Sequence, residues 1–172
     1  FEVYGRTKLE GEQVVAEECG KRGIPYFIVR PFSIYGPWNA VPQVIPGIIS
    51  QLKQGMDKIV LGNLEPHRDF IYVTDVAYAL ALFLTRGVPG EVYNFGDNTS
   101  HSVREVTDLV REFLAKAGRK VEFVSDTGRY RGDLERMILV GDDTKVQRDL
   151  DWKPKIDLRT GIKMILKAEG LV

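Results

Sequence analysis

Tyr4 and Lys8 stand four residues apart in the run Tyr4-Gly5-Arg6-Thr7-Lys8, at the start of the chain. On a helix that spacing puts both side chains on one face. An ammonium beside a phenol favours the phenolate, so such a pair can accept a proton near neutral pH. The competing reading is a solvated helix face, because a tyrosine followed at this spacing by a common residue is expected by chance from composition alone. The elements and motifs downstream decide between the two.

Residues near 3–22 form an amphipathic helix, with Leu9, Val14, Val15 and Ala16 apolar among charged neighbours and Gly23 at its end. Pro25-Tyr26-Phe27-Ile28-Val29 is a continuous apolar run, the pattern of a strand buried on both faces of a parallel sheet. Residues 30–42 hold three prolines and a glycine and read as a loop. A helix near 43–54 leads to a strand at 58–61 and a second at 68–73. Thr74 is placed to N-cap an apolar helix over 75–86, which reads as packing. A strand follows at 91–96. Ser102-Val103-Arg104-Glu105 fits a capping box that opens a helix to about 117, with Gly118 beyond it. A strand at 120–125, a helix over 144–150 and a last helix from Leu158 complete the order, and Trp152 is expected to bury its ring and anchor the final segment. Alternating helices and strands predict an α/β domain.

The 172 residues suffice for one ordinary core, and 44% hydrophobic with 28% charged is a globular profile. A net charge of zero gives no case for nucleic acid or for a membrane surface. No apolar run has the length of a membrane span. The single cysteine, Cys19, rules out an internal disulfide and fits a reducing cytoplasm. His67 and His101 have no ligand-type neighbours at metal spacing. The chain opens on Phe1, as a piece of something longer would. A parallel sheet of this kind binds a dinucleotide through a glycine-rich turn after its first strand, and neither G-x-G-x-x-G nor G-x-x-G-x-x-G occurs here.

Several runs in order carry a resemblance: Tyr4-x-x-x-Lys8, Arg30-Pro31-Phe32-Ser33-Ile34-Tyr35-Gly36-Pro37, the stretch from Gly62 to Val76 that contains Arg68-Asp69-Phe70-Ile71-Tyr72-Val73, and Tyr93-Asn94-Phe95-Gly96. Asp143-Thr144-Lys145 and Asp151-Trp152-Lys153-Pro154 close the series. Together they resemble the C-terminal half of an extended short-chain dehydrogenase/reductase, of the NAD-dependent sugar-nucleotide epimerase/dehydratase kind. The fold so implied is the C-terminal part of a Rossmann-type parallel sheet with a smaller mixed α/β substrate-binding domain. Residues 1–36 would end the NAD-binding domain. Residues 37–172 would be mainly the substrate domain, with some segments returning to the Rossmann sheet. The glycine-rich loop and a catalytic Ser or Thr would lie upstream.

The resemblance also implies site roles. Tyr4 would take the C4 hydroxyl proton of a nucleoside-diphosphate sugar while NAD takes the hydride, and Lys8 would hold the nicotinamide ribose. Pro31 and Ser33 would lie beside the cofactor, Ser33 also near the substrate. Ser33 stands where the family usually has Asn, which shortens the hydrogen-bonding group. Arg68 would grip the diphosphate, guanidinium matching phosphate oxygens bidentately; its alternative is a surface ion pair to Asp69 or Glu65. Arg129 or Arg131 would reach the diphosphate or base. Tyr35, Gly36 and Pro37 would shape the turn or touch ligand. The stretch from Gly62 to Phe70 is similar to the dehydratases acting on GDP-mannose, so a 4,6-dehydratase is the first expectation, a 4-epimerase the second, and an isolated half without activity the third. The first helix would join a helical bundle between the two subunits of a homodimer.

Overall fold

The computed structural model describes residues 3–40, 43–130, 132 and 135–172. The chain is α/β, and its helices and strands alternate much as the periodicity predicts. Helix α1 (Val3–Arg22) is followed by strands β1 (Ile28–Pro31) and β2 (Ser33–Tyr35). Helix α2 (Val44–Lys53) leads to β3 (Lys58–Leu61), and then come β4 (His67–Arg68) and β5 (Phe70–Tyr72). Helix α3 (Val73–Arg86) precedes β6 (Val92–Phe95) and β7 (His101–Ser102). Helix α4 (Val103–Lys116) leads to β8 (Glu122–Ser125), a short 3-10 turn (Thr127–Arg129) and β9 (Ile138–Leu139). Helices α5 (Thr144–Leu150) and α6 (Leu158–Ala168) end the chain.

Three parallel pairs, β1 with β6, β2 with β5 and β3 with β8, form the sheet structure, and β4 lies between antiparallel β7 and parallel β9. Two hydrophobic cores result. One gathers Tyr35, Ile48, Leu52, Ile59, Val106, Leu114, Ile162 and Leu166 from β2, α2, β3, α4 and α6. The other gathers Ile71, Phe83, Tyr93, Phe95, Val146 and Trp152 from β5, α3, β6, α5 and the segment after it. Trp152 is buried edge-on against Phe95, ring centroids 5.7 Å apart, as its expected anchoring role requires.

Several local readings hold in detail. Ser102 and Glu105 close a complete capping box, Glu105 N–H donating to Ser102 Oγ at 3.1 Å and Ser102 N–H to Glu105 Oε2 at 2.7 Å. Gly118 turns the chain out of α4 with φ of 82°.

Others are corrected. Residues 30–42 are not one loop, because β2 lies within them. Pro31 and Pro37 flank a strand only three residues long, which runs beside β5, and Phe32 and Ser33 donate their amides to the carbonyls of Phe95 and Asp69. Helix α3 starts at Val73 with Tyr72 as N-cap, so Thr74 lies inside the first turn and does not cap. Strand β1 is not buried on both faces: Ile28 and Val29 are half-buried, and Arg30 and Pro31 are exposed. Among the described residues, β1 pairs with β6 alone. The long helix α1 has no buried residue, and Leu9, Val14 and Val15, the expected apolar stripe, face outward.

Candidate active site

A cavity of about 350 Å³ opens where several segments meet, and Ser33, Arg68 and Arg129 all line it. That volume lies at the lower end of small-molecule sites. Its floor is the carboxyl end of β3, where Leu61, Gly62 and Asn63 turn away from the parallel β3–β8 pair. In α/β sheets ligands sit outside such strand ends. Ser33 enters from the start of β2, Arg68 from the end of β4, and Arg129 from the 3-10 turn after β8. A Cβ on Gly62 would stand 3.1 Å from the Arg129 carbonyl, so a glycine there lets the arginine-bearing turn close onto the strand end. Val44, Ile45 and Pro46, the first turn of α2, supply the remaining wall, and that turn has no acidic residue. A helix N-terminus carries partial positive charge.

Backbone acceptors orient both described arginines. Arg68 donates through Nη1 to the carbonyls of His67 and Arg136, each at 2.7 Å. Arg129 Nη1 donates to the Val60 carbonyl at 2.9 Å, and its Nε lies 3.4 Å from Asp126 Oδ2. Neither expected alternative partner of Arg68 is idle. Glu65 pairs with Arg104, and Asp69 accepts the amides of Asp97 at 2.7 Å, Asn98 at 3.3 Å and Gly141 at 3.2 Å. Arg131 lies outside the described residues.

Tyr4 and Lys8 do share a face of α1, as their spacing demands, with the Lys8 ammonium 5.5 Å from the centre of the Tyr4 ring. They are not among the residues lining the cavity. Tyr4 is 68% exposed. Pro31 lies exposed at the end of β1, one residue short of the turn into Ser33. The structure thus gathers Ser33, Arg68 and Arg129 at one site and leaves the Tyr–Lys pair on an open helix.

Tyr35 also lines the cavity, and most of its side chain is packed into the core beneath. Burial is the main cause that pushes its phenol far up, with Asp97 and Asp157 adding to the shift, and its hydroxyl points at the Asp157 carbonyl, 3.4 Å away. A Cβ at Gly161 would collide with it. Sequence reasoning missed Gln43 and Glu135, which also line the cavity. Glu135 accepts from Asn63 Nδ2 at 2.9 Å. It lies in a stretch without periodicity, so no pattern could have flagged it. Asp69, expected at most as a surface partner of Arg68, and Asp75 are both buried. Burial pushes the Asp69 carboxyl up against the opposing pull of its three amide donors. Asp75 takes the amides of Lys155 and Ile156 at 3.1 and 2.9 Å. Among the described residues, no group of three or more His, Cys, Asp or Glu side chains is gathered as a metal would require. Among the described residues, no helix is long and apolar enough to cross a membrane.

Parallel strand pairs, covering helices and a cavity at strand ends define an α/β nucleotide-type fold. The model of the NAD dependent epimerase/dehydratase family matches residues 1–96, and the chain belongs to that family. It is 31% identical over 166 residues to dTDP-D-glucose 4,6-dehydratase of Mus musculus, covering 93% of this chain and 45% of that protein. It is 32% identical over 167 residues to a putative UDP-glucose 4-epimerase of Methanocaldococcus jannaschii, covering 95% of this chain and 52% of that one. Among solved structures, RMD from Pseudomonas aeruginosa complexed with NADPH superposes with a TM-score of 0.81 at 25% identity, over 96% of this chain and 54% of that one. The chain therefore spans about half the length of the curated relatives it matches.

Proposed function

We propose that this chain carries the substrate cavity and the proton-transferring helix of an enzyme that modifies a nucleoside-diphosphate sugar through a 4-keto intermediate. The observation that carries the reading is the convergence of Ser33, Arg68 and Arg129 on one cavity beside the first turn of α2. A diphosphate suits this wall: guanidinium forks match its oxygens, and the helix terminus adds amide donors and favourable charge. The Ser33 hydroxyl adds one short donor.

The residues present fit one end of a pyridine nucleotide. Tyr4 and Lys8 offer a phenol and an ammonium on one exposed face, fitting a nicotinamide ribose, while the sequence has no glycine-rich turn to cradle the diphosphate of the cofactor. Bound NAD would supply a hydride acceptor that later returns the hydride. Tyr4 takes the proton of the C4 hydroxyl, and the Lys8 ammonium stabilises the phenolate and donates to the ribose hydroxyls. Pro31 shapes the approach to Ser33 at the cofactor side of the cavity. The two cores support a division of labour. The core of α3, β6 and α5, packed with β1, continues the cofactor-binding side, and the core of α2, α4 and α6 is the substrate side.

A 4,6-dehydratase is the first reading of the reaction, supported by the likeness to dTDP-D-glucose 4,6-dehydratase. A 4-epimerase is the second, supported by an equally similar relative described as a putative UDP-glucose 4-epimerase. The outward apolar residues of α1 support a homodimer, and the single cysteine suits a cytoplasmic setting. Titration of nucleoside diphosphates into the chain by calorimetry tests the cavity: Arg68→Ala should weaken binding roughly 10- to 100-fold, the worth of a charge-assisted hydrogen bond. Unchanged affinity would remove Arg68 from the site. The chain by itself should bind NAD weakly and turn over no sugar nucleotide, and micromolar NAD affinity would overturn that expectation.

A further inference from the structure

Within this chain helix α1 buries no side chain, so packing against the described residues does not by itself fix where Tyr4 and Lys8 stand. Among the described residues, the side-chain hydrogen bonds that join α1 to another element run from Arg30 to Glu12. Nε donates to Glu12 Oε1 at 2.7 Å, and Nη2 donates to Oε2. This is a two-pronged fork, which fixes orientation as well as distance. Glu12 is only 18% exposed at its side chain, and the hydrogen bond from Arg30 holds its carboxyl below the ordinary glutamate range.

The spacing gives the fork its meaning. Tyr4, Lys8 and Glu12 follow one another at four-residue steps, so they form one stripe along α1. At ~1.5 Å of rise per residue, the anchor lies roughly 6 Å along the axis from Lys8 and 12 Å from Tyr4. The other end is equally well defined. Arg30 is in β1, in register with Asn94 of β6, and three residues later the same chain enters β2 at Ser33, on the cavity wall.

We infer that Arg30, acting through Glu12, is a positioning residue that sets the register of the Tyr4–Lys8 stripe relative to the strand leading into the cavity. Proton transfer demands such control, because a misplacement of about 1 Å can cost about 100-fold in rate. The catalytic part of the inference rests on the proposed role of Tyr4; the mechanical part does not.

The test uses Arg30→Lys, which keeps the charge and loses the fork, Glu12→Gln, and the exchanged pair Glu12→Arg with Arg30→Glu, each in the natural full-length protein. Hydrogen–deuterium exchange should quicken in α1 for both single variants while α4 and α6 keep their protection. With a nucleoside-diphosphate sugar, kcat should fall roughly 10- to 100-fold at a steady KM, and the exchanged pair should regain part of both losses. Unaltered exchange in α1 would overturn the inference, and so would a loss confined to KM. If Tyr4→Phe stays active while Arg30→Lys still loosens α1, the proposed chemistry fails and the tether stands.

Discussion

Helix α1 and the cavity on the other core are built on opposite terms. The cavity residues are drawn together from several segments of the chain. Arg68 and Arg129 are tied to carbonyls of distant segments, and the strands below them rest on buried Ile59, Phe70 and Leu114. The residues proposed for proton transfer sit instead on a helix whose apolar side chains face outward in this chain and which, among the described residues, is tied through side chains to the body by the Arg30–Glu12 pair. A binding site is made by converging segments, which only a core can hold in place. A reactive pair four residues apart is made by one helix and needs a core only to aim it.

Variants can break this contrast. The largest effect should come from Tyr4→Phe in the full-length protein, a loss of roughly 10²–10⁴-fold in turnover, as removal of a general base gives. Thermal stability of this chain by itself should stay the same, because the side chain is largely exposed in it. Keto-sugar formation at the parent rate would make the helix a passive surface.

Leu114→Ala, in the core of α2, α4 and α6, should do the reverse. It should destabilise by about 2–5 kcal/mol in denaturant titration through the void it leaves, whereas Val14→Ala on α1 should shift stability by less than about 0.5 kcal/mol. Equal losses at the two positions would mean that α1 is packed in solution.

Association separates the regions more gently. A charge placed at Val29 on β1 or at Val14 on α1 should shift light scattering toward the monomer, since an unpaired strand edge and outward apolar side chains both promote self-association. A monodisperse monomer at high concentration in the parent chain would end that argument.

The smallest effect is one of pH. Because the hydrogen bond from Arg30 lowers the Glu12 carboxyl below the ordinary 4.5, the stabilisation from the pair is complete above that value. It is lost as pH falls through the lowered folded value. Exchange protection of α1 should drop there in the parent and should show no such step in Glu12→Gln.

Much of the fold was legible because its signals are local. The Ser102–Glu105 box, Gly118 and the apolar runs of β3 and β6 each determine their own structure. The failures came where distant partners decide. Strand β2 is too short and too rich in flanking prolines to show a period, and it exists because β5 lies alongside it. Thr74 looked like a cap until the preceding tyrosine proved to be the first non-helical residue. At the site, the arginines are marked by the family resemblance, but that Ser33, Arg68 and Arg129 share one wall is a fact of topology. Glu135 had no local signal at all.

Asp75 accepts amides from residues 155 and 156, and the Tyr35 hydroxyl meets the Asp157 carbonyl under Gly161. These ties join β2 and the start of α3 to the last segments of the chain, across gaps of 80 to 122 residues. Closing such gaps is slow, because the entropy of the intervening loop is lost before the contacts form. During synthesis β2, α2 and β3 must therefore wait, with their apolar faces open, until α6 has left the ribosome. A nascent chain stalled before residue 155 would be a client for a chaperone, whatever the state of helix α1.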